Sequence, residues 1–125
     1  MDFSLSEEQR LLVATIRSFI EGELRPLEAG VEETGHLADD MAARICASSR
    51  ALGLYAVNIP AQYGGGGLSV LDWMIAEEQF GRTSDILIRR AFGNVYEILL
   101  EGTEAQIEEY LLPVSYTHLT LPTKA

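Results

Sequence analysis

Residues 51–67 read Ala51-Leu-Gly-Leu-Tyr-Ala-Val-Asn-Ile-Pro60-Ala-Gln-Tyr-Gly-Gly-Gly-Gly67. The stretch predicts a helix end, a short extended segment and then a mobile glycine loop. Gly53 can adopt the left-handed conformation that closes a helix. Pro60 forbids helix and biases Ile59 toward extended backbone. The glycine run is not a phosphate cradle by its sequence. Such a loop needs Lys and Ser/Thr directly after the last glycine, and Leu68 stands there instead. A dinucleotide-binding turn would need a strand before it, and a helical pattern precedes this one.

Working outward, nearly every other segment carries helical periodicity. Ser4 with Glu7, and Ser6 with Gln9, have capping-box spacing. Leu12, Ile16, Phe19, Ile20 and Leu24 then share one face. Pro26 is expected to stop or bend this helix, with a polar connection following to Gly35. Asp39 or Asp40 is expected to cap a second helix, with apolar positions Met41, Ile45 and Leu52 and a small residue at Ser49. Ser69 and Asp72 open a third helix that Gly81 ends. Its apolar residues Leu71, Trp73, Ile75, Ala76 and Phe80 are spread widely, which predicts burial on more than one side. Ser84 or Asp85 opens a fourth, expected to run through Ile88, Ala91, Val95, Ile98 and Leu99 to Gly102. Thr103 and Gln106 cap a short helix carrying Ile107, Tyr110 and Leu111, with Pro113 as its stop. No alternating strand of useful length is present, so the predicted fold class is all-α.

Composition narrows the function classes. The chain has 125 residues and a net charge of −10, from nine basic and nineteen acidic side chains. That balance argues against nucleic acid and anionic membrane as partners. Apolar runs reach about four residues, far below a membrane span. The single cysteine, Cys46, excludes an intrachain disulfide and fits a reducing cytosol, so a cytoplasmic location is expected. Cys46 itself is expected to be a small core residue. The acidic opening residues lack a secretory pattern. No metal ligand set is legible: His36 sits in a polar connection and His118 in the tail. The pairs Glu77-Glu78 and Glu108-Glu109 are sequence neighbours, read as solvated faces rather than paired catalytic carboxylates. No catalytic residue is assigned.

The tail changes character. After Ser115 acidic residues vanish, threonine recurs, and Lys124 is the only lysine against eight arginines upstream. Val-Ser-Tyr-Thr-His-Leu-Thr-Leu-Pro-Thr resembles the translation of a sequencing-library adapter. The expected division is a native domain over residues 1–113 and a non-native tail over 114–125.

Four phrases together resemble the acyl-CoA dehydrogenase family. They are Asp2-Phe3-Ser4-Leu5-Ser6-Glu7-Glu8-Gln9; Leu52-Gly53-Leu54 with Ile59-Pro60 and Tyr63-Gly64-Gly65; Glu77-Glu78 before Phe80-Gly81; and Gly102-Thr103-Glu104-Ala105-Gln106 with Tyr110-Leu111-Leu112-Pro113. The resemblance covers residues 2–113 and implies the family's N-terminal helical-bundle domain, with about five helices and a Gly-rich loop. It implies a parent flavoenzyme that oxidises an acyl-CoA thioester to the 2,3-enoyl-CoA, using FAD and passing electrons to an electron-transfer flavoprotein. A full-length homo-oligomer is implied as well. The catalytic base and most flavin contacts would lie outside this chain, so the fragment is expected to bind no FAD and to be inactive alone. In the family, the helix before the Gly-Thr-Glu phrase lines the acyl pocket. Carried onto residues 86–100, this points to Arg89, Phe92, Gly93 and Tyr96, spaced i, i+3, i+4 and i+7, as substrate-binding residues. The alternatives are an oxidase or reductase of a related CoA ester, and a stand-alone helical interaction module.

Overall fold

The computed structural model describes residues 2–93 and 95–115, and among these the chain is helical with no strand. The first helix, α1, spans residues 7–34 as Glu7–Phe19, a π-turn Ile20–Leu24 and Arg25–Thr34. The others are α2 (Asp39–Ala51), α3 (Val70–Phe80), α4 (Asp85–Phe92) and α5, which spans residues 104–115. Two 3₁₀ turns, Ala61–Tyr63 and Glu97–Glu101, lie between them.

Local chemistry starts and ends these helices as the sequence indicates at several points. Ser6 and Gln9 form the full capping box: Gln9 N–H donates to Ser6 Oγ at 3.1 Å and Ser6 N–H to Gln9 Oε1 at 2.9 Å. Thr103 and Gln106 repeat it on α5. At the end of α2, Gly53 has φ +75°. Its N–H donates to Arg50 O and that of Leu54 to Ser49 O, both at 2.9 Å, the paired bonds of a Schellman end. In the N-terminal arm, Ser4 N–H donates to Asp2 Oδ1 at 2.9 Å and holds that carboxyl below its ordinary pKa.

Pro113, expected to stop its helix, and Pro26, expected to stop or bend its own, are both carried inside helices. Pro26 and Pro113 each stand two residues beyond a π-turn, Ile20–Leu24 and Ile107–Leu111. In each turn the closing N–H reaches back five residues, Arg25 to Ile20 and Leu112 to Ile107. The widened turn shifts the carbonyl ladder that a proline ring would strike in a regular helix. The segment expected as a polar connection is therefore helix up to Thr34, closed by Gly35 at φ +68°.

Other expectations are corrected by packing. The residue at the α2 N-cap is Ala38, without a side-chain cap, and Asp39 and Asp40 lie in the first turn. Leu52 is exposed rather than core. Cys46 is half-buried at the surface of α2. The fourth helix does not reach Leu99: it ends at Phe92, and Val95 and Tyr96 lie outside helical structure. Ile98 is exposed, while Leu87, not among the expected core positions, is buried.

The glycine loop is held, not loose. Gly65 N–H donates to Pro60 O, Gly66 to Ala56 O, Gly67 to Ile59 O and Leu68 to Val57 O, at 2.9–3.2 Å. A Cβ on Gly65 would overlap the Ile59 carbonyl, and one on Gly66 would stand 2.9 Å from Val57 Cα. Two backbones meet here with no room for side chains.

The main core gathers Ile16, Phe19, Ile20 and Leu24 of α1, Ile45 of α2, Ala76 and Phe80 of α3, and Leu87, Ala91 and Phe92 of α4. A smaller cluster joins Ala56, Ile59 and Val95 to Leu111 of α5. Helix α1 packs along α3, and α2 along α4. Gln9 Nε2 donates to Asp72 Oδ1 at 2.9 Å, and Arg17 Nε to Gln79 Oε1 at 2.8 Å. The contacts advance in the same direction on both helices, so α1 and α3 run parallel.

Candidate functional site

Phe92 closes α4, and its ring stacks on Phe80 with centroids 3.8 Å apart and planes 10° from parallel. Phe19 meets Phe92 edge-on at 5.7 Å. These rings belong to the core, yet the edges of Phe80 and Phe92 reach an open groove of about 210 Å³. One side of the groove is α3, through Trp73 and Glu77, one turn apart. The other is the segment after α4: Gly93, Val95, Tyr96 and Glu97. Val57, Asn58 and Ile88 complete it.

Gly93 makes this geometry possible. Its φ of +88° and ψ of 163° lie in a region essentially reserved for glycine, so the chain turns sharply out of α4. A Cβ there would stand 3.1 Å from Tyr55 Cζ. The far side of the same α4 end is tied to the loop by Ala56 N–H donating to Phe92 O at 2.8 Å. Ala56 accommodates this with φ +49°, a left-handed conformation uncommon for alanine.

Two carboxylates in the groove are oriented by side-chain donors. Trp73 Nε1 donates to Glu77 Oε1 at 3.0 Å. Asn58 Nδ2 donates to Glu97 Oε2 and to Val95 O, each at 2.8 Å. Asn58 thus also holds the post-α4 segment in place.

The structure brings together Phe92, Gly93 and Tyr96, three of the four residues read from the sequence as substrate-binding. Arg89 is not with them. It lines a second groove of about 360 Å³ between α2 and α4, with Arg90, Tyr55, Cys46 and Asp39. There its guanidinium pairs with Asp85 one turn earlier at 2.9 Å, both side chains largely exposed. Gly93 lines the first groove and Tyr55 the second, and a Cβ on Gly93 would run into the Tyr55 ring, so the two grooves adjoin here. The i, i+7 relation between Arg89 and Tyr96 assumed a continuous helix, and the helix stops between them.

Sequence reasoning missed Val57, Asn58, Trp73, Glu77, Phe80, Ile88, Val95 and Glu97 as groove residues. Trp73 and Glu77 carried a partial signal as an i, i+4 donor–acceptor pair. Nothing local pairs Asn58 with Glu97 across 39 positions.

The grooved surface can bind an apolar body between aromatic rings. Nothing in it is arranged as a nucleophile. Among the described residues no group of three His, Cys, Asp or Glu side chains could hold a metal ion, and no helix is long and apolar enough to cross a membrane.

Comparison with known proteins adds the following. The family model "Acyl-CoA dehydrogenase, N-terminal domain" matches residues 6–116. The short-chain-specific acyl-CoA dehydrogenase of Clostridium acetobutylicum is 29% identical over 119 residues, covering 92% of this chain and 30% of that protein. The glutaryl-CoA dehydrogenase of Desulfococcus multivorans is 31% identical over 121 residues, covering 92% and 30%. Subunit CarC of the caffeyl-CoA reductase-Etf complex of Acetobacterium woodii is 29% identical over 120 residues, covering 87% and 29%. The chain thus spans about 30% of the length of these relatives. No solved structure matches it significantly.

Proposed function

The chain belongs to the acyl-CoA dehydrogenase family, through its N-terminal domain, and from that premise we propose that it forms one wall of the acyl pocket of an enzyme that dehydrogenates an acyl-CoA thioester between Cα and Cβ. The observation that carries the reading is the groove in which Phe92, Gly93 and Tyr96 meet Trp73. Its aromatic edges suit an apolar acyl tail, and Phe92 and Phe80, locked in the core, set its depth. The work of this chain is to position the tail and exclude water from it. Removal of the α proton is assigned to a base outside the chain.

The parent enzyme is proposed to carry FAD and to pass electrons to an electron-transfer flavoprotein, with full-length copies assembling into a homo-oligomer. The loop N–H groups of Gly65, Gly66, Gly67 and Leu68 are already engaged by backbone carbonyls, so none points to a phosphate. No flavin step is assigned to this chain, which alone is proposed to be inactive. Exposed Val70, Leu71 and Met74 on α3 and Ile98 beyond α4 are consistent with further protein covering this side. The division into a native domain over 1–113 and a non-native tail is retained as a proposal; residues 116–125 lie outside the described residues, and the α5 helix continues to Ser115.

The test is to recover the complete reading frame, express it and assay acyl-CoA-dependent dye reduction. Flavin-loaded protein that reduces dye only with an acyl-CoA is expected. A frame encoding this domain alone would favour an interaction module. Flavin-loaded protein that uses oxygen, or that works only in the reductive direction, would favour an oxidase or reductase.

A further inference from the structure

We propose that the Trp73–Tyr96 groove selects neutral acyl tails and excludes tails ending in a carboxylate. The inference rests on the reading of this groove as the acyl site. Three observations carry it. First, among the described residues the groove's charged side chains are both anionic: Glu77 and Glu97 line it, and no Lys, Arg or His does. Second, the side-chain N–H donors of its described residues are already engaged. Trp73 Nε1 is given to Glu77, and both hydrogens of Asn58 Nδ2 are taken, by Glu97 and by Val95 O. An incoming carboxylate would meet like charge and, among the described lining residues, no free side-chain N–H; the exposed Tyr96 hydroxyl, a neutral donor, does not cancel that repulsion. Third, the adjacent arginine pair that could neutralise it is elsewhere. Arg89 and Arg90 face the other groove, and Arg89 is already paired with Asp85.

The same hydrogen bonds that engage the donors hold the carboxylates at the groove. A tail of alkyl or cyclic character, or one bearing a hydroxyl donor, meets acceptors rather than repulsion. Because Glu77 and Glu97 are solvent-exposed, the discrimination is a screened electrostatic effect and falls with ionic strength.

Trp73 is the chain's single tryptophan, so its indole N–H gives one NMR resonance that reports directly on the groove. The experiment titrates the 125-residue chain with butyryl-pantetheine and with glutaryl-pantetheine, which share an uncharged head and differ at the tail. Butyryl-pantetheine is expected to move the Trp73 indole signal. Glutaryl-pantetheine should bind at least roughly five-fold more weakly at low salt, with the ratio shrinking at high salt. In Glu97→Gln, which keeps an acceptor for Asn58, and in Glu77→Gln, the ratio should fall toward one. Equal or tighter binding of the glutaryl thioester, or an unchanged ratio in both variants, would overturn the selectivity while leaving the groove as an acyl site. No response to either thioester would overturn the groove reading and the selectivity with it.

Discussion

Arg17 Nε on α1 donates to Gln79 Oε1 on α3 at 2.8 Å, joining residues 62 positions apart. Gln79 is buried, so this bond satisfies an amide oxygen that water cannot reach. It also sets the register of the α1–α3 pair, whose other end is tied by Gln9 and Asp72. Helix α3 in turn carries Trp73 and Glu77 into the groove, so the bond positions the site from behind.

Arg17→Met is expected to lower stability by about 1–3 kcal/mol, because it leaves the Gln79 oxygen buried and unpaired. Gln79→Met in the same chain should recover part of that loss. Urea unfolding of the two single variants and the double variant gives the coupling directly. Strictly additive losses would show that the two side chains do not depend on one another.

Gly65→Ala and Gly30→Ala are expected to act in opposite directions. At Gly65 the added methyl collides with the Ile59 carbonyl, and a loss of about 2–3 kcal/mol should follow. At Gly30, inside α1, nothing lies within 4 Å of the added Cβ. Alanine there should stabilise by about 0.5–1 kcal/mol through helix propensity alone. Thermal unfolding of both variants distinguishes a held loop from a slack one, since a slack loop would tolerate Gly65→Ala.

Gly93→Ala is expected to cost about 1–3 kcal/mol from backbone conformation alone. Removing the Tyr55 ring relieves the steric contact but not the dihedral. The pair Gly93→Ala with Tyr55→Ala should therefore remain destabilised relative to Tyr55→Ala. Full recovery in the double variant would mean that contact, rather than φ, decides this position.

Phe92→Ala is expected to cost about 3–5 kcal/mol, the range for emptying an aromatic site in a core. A change in acyl preference measured on that variant would be entangled with unfolding. Tyr96→Ala is the cleaner probe, because Tyr96 is exposed and lines the groove. It should weaken butyryl-pantetheine binding severalfold with stability changed by less than about 0.5 kcal/mol. Arg89→Ala, in the other groove, should leave the Trp73 titration as it was.

The sequence by itself determined the helices that depend on local chemistry. Ser6 with Gln9, Thr103 with Gln106, and Gly53 act within one turn of backbone, so their spacing is sufficient evidence of what they do. The buried face of α1 followed from periodicity for the same reason. The family phrases were legible too, being continuous in sequence.

Tertiary structure decided what spacing could not. The two π-turns that carry Pro26 and Pro113 within helices leave no simple residue pattern, and proline alone argued for a stop or a bend. The end of α4 at Phe92 depends on Gly93 turning beneath the Tyr55 ring and on Ala56 bonding to Phe92 O, contacts between segments about 37 residues apart. That one turn sent Arg89 to a different groove from Tyr96. A helical face is a property of consecutive residues, but a groove belongs to the surfaces that close around it. Trp73, Asn58 and Glu97 share one because three separate segments pack together, and packing is a long-range free energy that no local repeat encodes.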